Sequence, residues 1–156
     1  MKYLITTAKI ILVVLVVALI IVQFFGIDKS NAAIVQADTL EAAVTVPDNV
    51  EAILTRSCNN CHTNKTVYPW YASIQPVGWF LQNHINDGRK DLNFSQFNTY
   101  TGKKKVKRLE GACELVQKKE MPLPSYLWIH RDAVMSDADI QTLCDWANTE
   151  KAKISE

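Results

Sequence analysis

Histidine, cysteine, glycine and proline are all scarce in this chain of 156 residues, which holds 3, 4, 5 and 5 of them. Each shortage excludes something. A structural zinc site needs four nitrogen or sulfur ligands at short spacing, yet beyond Cys58 and Cys61 there is neither a second close Cys pair nor a His-x-x-x-His partner. Charge of one sign is lacking too, with a formal net charge of +1. That balance predicts no nucleic-acid partner and no strongly acidic one. No segment alternates as a strand, no internal repeat is visible, and no nucleophile triad or paired acid and base lies near the cysteines.

What is present is concentrated in five residues, Cys58-Asn59-Asn60-Cys61-His62. Cys-x-x-Cys-His is the attachment signature of c-type haem. Thiols at this spacing lie on one turn and can add across the two vinyl groups of one porphyrin, with the following imidazole beneath the iron. The same dithiol in a redox enzyme would be set in a thioredoxin-like alternation of strands and helices, and no such pattern exists here. The cofactor expectation is therefore one covalent haem c with its iron.

The N-terminus agrees. Lys2 and Lys9 precede an apolar run from Ile10 to Ile27, interrupted by Gln23 and Gly26. It is longer than the usual signal-peptide core, and no Ala-x-Ala site directly follows it. Residues 1–27 thus read as a retained membrane anchor, with the lysines on the cytoplasmic side. A single pass through a bacterial inner membrane would leave the remainder facing the periplasm, the side on which c-type haem is attached. Residues 28–47, rich in Ala, Val, Thr and Asp and closed by Pro47, read as a linker. Residues 48–152 form the expected haem-binding domain.

That domain reads as all-α. Asp48 with Glu51 suggests a capping box, after which Val50, Ile53, Leu54 and Cys58 recur at helical spacing. Residues 63–75 are aromatic and broken by Pro69, which suits a loop against the porphyrin edge. Val77, Phe80, Leu81 and Ile85 mark a second helix that starts after Pro76 and should end at Gly88. A third, from Lys103 to Lys119, carries Val106, Leu109, Cys113 and Val116. Ser136 with Asp139 caps a last helix with Ile140, Leu143, Cys144 and Ala147 on one face.

His62 leaves one axial position on the iron, and three residues compete for it. Met121 precedes Pro122 in a loop after a helix, where proline would hold the thioether in place. His84 and His130 are the alternatives, and an open position is a fourth outcome. The ordinary work of a methionine is to fill the core, which is the role expected of Met135. For His130 the ordinary work is a hydrogen bond to backbone or to a haem propionate. Tyr68, Trp70, Tyr71 and Trp79 are expected to shield the porphyrin.

Several longer words carry a resemblance. Cys58 to Asn64, Tyr68-Pro69-Trp70-Tyr71, Ile74 to Trp79, Gly88-Arg89, Leu92 to Ser95, Met121-Pro122-Leu123 and Tyr126 to His130 resemble, in order, the haem-binding domain family found in many bacterial membrane-anchored proteins. The likeness covers about residues 50–148. It implies a compact cytochrome c-like helical domain with one covalent haem, and points to His62 and Met121 as axial ligands. It implies no particular reaction. Cys113 and Cys144 depart from the family pattern, and on apolar helix faces in an oxidising compartment they could form a disulfide or remain two buried thiols.

Together these readings lead to a membrane-anchored monohaem cytochrome that carries one electron at a time between redox protein partners, rather than an enzyme. A haem sensor or small haem enzyme with a displaceable sixth ligand is the alternative. The run Lys103-Lys104-Lys105-Val106-Lys107-Arg108 could dock an acidic redox partner or be a solvated helix face.

Overall fold

The computed structural model describes residues 2–155, and among them it is helical with no strand. Two compact units share the chain: Met1–Ser30 with Tyr68–Asn86, and Asn31–Val67 with Asp87–Glu156.

In the first unit, helix α1 spans Lys2–Val22. It starts well before Ile10 and stops before the end of the apolar run, so Phe24 to Ile27 lie past it. An 18-residue window within Tyr3–Val22 has a mean hydropathy of 3.0 with none of it buried, making α1 long and apolar enough to cross a membrane. The helix ends where Gln23 turns its side-chain amide back to Leu19 O at 2.8 Å. The same amide pairs with the backbone of Gln75: Nε2 donates to Gln75 O at 2.9 Å, and Oε1 accepts from Gln75 N at 2.9 Å. A single 3₁₀ turn, Trp70–Ser73, precedes helix α5 at Val77–Asp91, whose earlier neighbours α2 to α4 belong to the other unit. At Gly78 any Cβ would collide with Ala72 O and with the Gln75 amide, so only glycine permits this approach.

The second unit holds α2 (Leu40–Ala43), α3 (Asp48–Ser57), α4 (Asn59–His62), α6 (Gly102–Gln117), α7 (Pro124–Leu127) and α8 (Asp137–Ser155). The boundary between the units falls inside α5, after Asn86. The core of this unit gathers Val50 and Leu54 of α3, Leu109, Cys113 and Val116 of α6, and Leu143, Cys144, Trp146 and Ala147 of α8. These are largely the faces that helical spacing selects. Burying them is the main favourable term in forming the unit.

Residues 28–47 are not simply a tether. Leu40 and Val44 are buried in the same core, with Phe94 and Phe97. Trp146 Nε1 donates to Thr45 O at 2.8 Å, and Asn98 Nδ2 to Ala37 O at 2.9 Å. The segment holds a 3₁₀ turn at Gln36–Asp38 and the single turn of Leu40–Ala43, each too short for a periodic stripe. Two other expectations also differ. Pro47, not Asp48, occupies the N-cap of α3 and makes no side-chain cap, while the Glu51 carboxylate accepts from Thr55. Helix α5 continues through Gly88 to Asp91.

The Ser136 cap forms as expected. Ser136 Oγ accepts from Asp139 N at 3.1 Å, and the Asp139 carboxylate accepts from Ser136 N at 2.8 Å. Arg56 adds an ion pair at 2.7 Å, joining α3 to the start of α8. These hydrogen bonds, Ser136 first and Arg56 after, draw the Asp139 carboxyl down to about 2. Helices α6 and α8 are joined covalently by a Cys113–Cys144 disulfide with Cα atoms 4.9 Å apart.

Two outcomes follow. Replacing Cys113 and Cys144 together by Ala should cost about 4 kcal/mol by the chain-entropy relation for a loop of this length, read as a lower denaturation midpoint of the haem-loaded protein. The Asp139 carboxyl sits below its ordinary value when folded, so its stabilisation is complete above about pH 4 and disappears as pH falls through about 2. Asp139→Asn should therefore be less stable than wild type at neutral pH, and the two stabilities should converge on acidification.

Candidate haem site

The attachment turn is built by an interrupted helix. Cys58 N still donates to Leu54 O at 2.9 Å, closing α3, but the Cys58 backbone leaves helical geometry at φ −124° and ψ −43°. Its carbonyl then accepts from Cys61 N at 3.1 Å and His62 N at 3.0 Å, opening α4. Cys58, Cys61 and His62 thus share one turn. Both cysteines are unbridged and half-buried.

The His62 ring is held by two backbone carbonyls, with Nδ1 lying 2.8 Å from Leu92 O and 3.1 Å from Gly88 O. Carbonyls only accept, so Nδ1 carries the proton and Nε2 keeps its lone pair for a metal. Burial lowers the basicity of the ring, against the opposing effect of those two hydrogen bonds. A neutral imidazole with a fixed tautomer is what a haem ligand requires. Gly88 lets this happen, because a Cβ there would stand 3.0 Å from Cys61 O and 3.4 Å from His62 Cε1.

Burial also pushes the Cys58 thiol up to about 12, with the neighbouring Cys61 adding to the rise. Cys61 is raised as well, again by burial. Redox dithiols work through a lowered thiol pKa, so this environment argues against dithiol exchange. Among the described residues no three His, Cys, Asp or Glu side chains gather as a ligand set, which leaves the zinc reading without ligands. The unbridged thiols, the free Nε2 and the missing Cβ at Gly88 together fit a haem.

A polar network braces the turn, and sequence reasoning did not single it out as part of the site. Asn60 donates through Nδ2 to Tyr126 OH at 3.0 Å and accepts through Oδ1 from Val67 N at 3.2 Å. Arg89 donates to Thr63 O, Asn31 Oδ1 and Thr66 Oγ1, each at 2.8 Å. Asn93 Nδ2 donates to the buried Asn64 Oδ1 at 2.9 Å, and Ser95 Oγ accepts from Asn64 N at 3.0 Å. The words Gly88-Arg89 and Leu92 to Ser95 are therefore the bracing of the turn. Their appearance beside the cysteines in an ordered set of words was the available signal.

Met121 lies in the same unit, half-buried against the core that Cys58 also borders. Its loop begins in a Schellman turn: Glu120 N donates to Leu115 O at 2.9 Å, and Lys119 N to Val116 O at 3.1 Å. Lys119 takes the left-handed position at φ 57°, which usually falls to glycine. His130 stacks on Tyr126, with ring centroids 4.1 Å apart. His84, Tyr68, Trp70, Tyr71 and Trp79 all fall in the other unit. There, His84 Nδ1 lies 2.8 Å from Phe80 O, Tyr71 is buried and Trp70 is exposed, Trp79 Nε1 donates to Phe25 O, and the buried Tyr68 hydroxyl has no hydrogen-bond partner.

No curated protein and no solved structure matches the chain. A family model described as a haem-binding domain does, over residues 17–149. The span reaches from α1 to α8 and takes in the buried Leu40 and Val44 as well as the braced turn. With most of its length matched and its thiols and imidazole arranged as a haem requires, the chain belongs to the haem-binding domain family.

Proposed function

We propose that this haem-binding protein is a membrane-anchored monohaem c-type cytochrome, moving single electrons on the periplasmic side of a bacterial inner membrane. The observation that carries the reading is the His62 imidazole, pinned through Nδ1 beside two unbridged thiols. Bound haem c supplies the one-electron iron couple. Cys58 and Cys61 would hold the porphyrin through thioether bonds, and His62 Nε2 and the Met121 sulfur would ligate the iron, a thioether ligand raising the reduction potential. The Met121 loop rests on the core of the same unit, so the sulfur is presented from a packed base.

Two features support this location. Helix α1 has the length and composition of a span, and a disulfide between α6 and α8 suits an oxidising compartment. Redox proteins are the partners. In the basic run, Lys104 lies over the Tyr100 ring, Lys105 donates to Asn98, and Arg108 pairs with Asp91. Lys103 and Lys107, both exposed, remain for an acidic surface on a partner.

Acid-acetone extraction should leave the colour on the polypeptide, and the intact mass should include one haem. Loss of the colour would overturn the c-type assignment. The oxidised protein should show the weak near-infrared band of sulfur-to-iron charge transfer, absent in Met121→Ala along with a lower potential and new CO binding by the reduced form. If the wild type lacks the band, His84→Ala and His130→Ala decide the ligand.

Gly88→Ala tests the bracing of His62. Overpacking at such a contact costs about 1–3 kcal/mol. We expect lower stability, less haem-loaded protein and a shifted potential. An unchanged potential would mean that the ring is not held by this approach.

A further inference from the structure

We propose that the segment Trp70–Phe80, together with Gln23–Phe25, is an interfacial anchor that beds into the bilayer leaflet where α1 ends. The inference rests on α1 crossing the membrane, and it adds a second, in-plane attachment to that crossing.

Length is the first reason. From Ile10, the residue after Lys9, to Val22, α1 rises only about 20 Å at 1.5 Å per residue. The hydrocarbon layer is about 30 Å thick. With Lys9 held at one headgroup region, apolar residues beyond Val22 would make up the remainder of that layer. That material is there and it faces outward, since Phe24 is 84% exposed, Trp70 73% and Phe80 55%, with Phe25, Ile74 and Val77 also exposed. Exposed apolar groups collected in this way mark interaction surfaces.

The segment is also turned inside out at its centre. Gln75 is 2% exposed, whereas its neighbour Ile74 and the nearby Val77 face outward. Water favours the reverse, and lipid favours what is seen.

Backbone pairing is the third reason, the Gln75 Nε2 amide being the segment's one buried side-chain group without a partner. A loop can enter lipid only if its backbone groups are paired. Gln23 meets both polar groups of the Gln75 backbone and also donates to Leu19 O. Trp79 Nε1 donates to Phe25 O at 2.8 Å, Trp79 N donates to Gln75 Oε1 at 3.1 Å, and Lys29 Nζ donates to Ser73 Oγ at 2.6 Å. These bonds tie the segment to the end of α1. Tryptophan is the residue most typical of this depth in a bilayer. In this inference Trp70 and Trp79 face lipid rather than porphyrin.

The test places the full-length, haem-loaded protein in phosphatidylcholine nanodiscs that contain a lipid with a diazirine on an upper acyl carbon. After illumination, adducts are mapped by peptide mass spectrometry. Adducts should form on α1 and on the Trp70–Phe80 peptide, and those on the latter should be lost in Gln23→Ala and in the triple variant Trp70→Ser, Ile74→Ser, Phe80→Ser while the haem spectrum persists. Adducts on α1 alone would overturn the proposal and leave the crossing intact. Their absence from α1 as well would overturn the crossing itself. If the segment takes no adducts and the triple variant shifts the haem spectrum, these side chains cover the cofactor and the proposal fails.

Discussion

The site depends on one ring nitrogen meeting two carbonyl oxygens. The Gly88 carbonyl, which also accepts from Leu92 N at 2.8 Å, and the carbonyl of Leu92 just beyond α5 both turn to the imidazole of His62. A single proton on Nδ1 thereby satisfies the backbone and fixes the tautomer. For the ring to reach this position the α5 backbone must come within contact of α4, and a Cβ at position 88 would crowd Cys61 O and the ring, forcing one of them to give by a few tenths of an ångström. The glycine that looks in sequence like a helix terminator is therefore a clearance between two elements, and the helix passes through it.

Around this contact the polar residues have a consistent arrangement. Asn60, Thr63, Asn64 and Thr66 direct their side chains or backbone to groups from distant parts of the chain, among them Arg89, Asn93, Ser95 and Tyr126. Such pairing is what allows polar groups to be buried at all. The thiols, by contrast, sit in surroundings that oppose their ionised form.

Much of this was legible in the sequence, for identifiable reasons. Five adjacent residues bear the haem-attachment signature, and the helices containing Leu109, Cys113 and Val116 or Leu143, Cys144 and Ala147 repeat often enough for a face to emerge. Ser136 and Asp139 announce their cap because it is local. What escaped has little or no local signature. Leu40 and Val44 are one turn apart in a segment with nothing else to repeat. Arg89 is an ordinary helix residue until Asn31, Thr63 and Thr66 are brought to it. Gln23 looks like an interruption in an apolar run, and its partner is 52 positions away. Sequence spacing also left Cys113 and Cys144 undecided, because a disulfide is settled by the approach of two backbones.

That disulfide closes a covalent ring from Cys113 to Cys144, and Met121 lies within it. The ring limits how far the Met121 loop can wander when local packing loosens. In the proposed cytochrome a thioether released from the iron would remain confined nearby, so its return would be an intramolecular event at high effective concentration rather than a search by a free loop. A bond remote in sequence from the attachment turn would thus govern how briefly the sixth position stands open, and with it how selectively the iron exchanges electrons instead of taking up ligands.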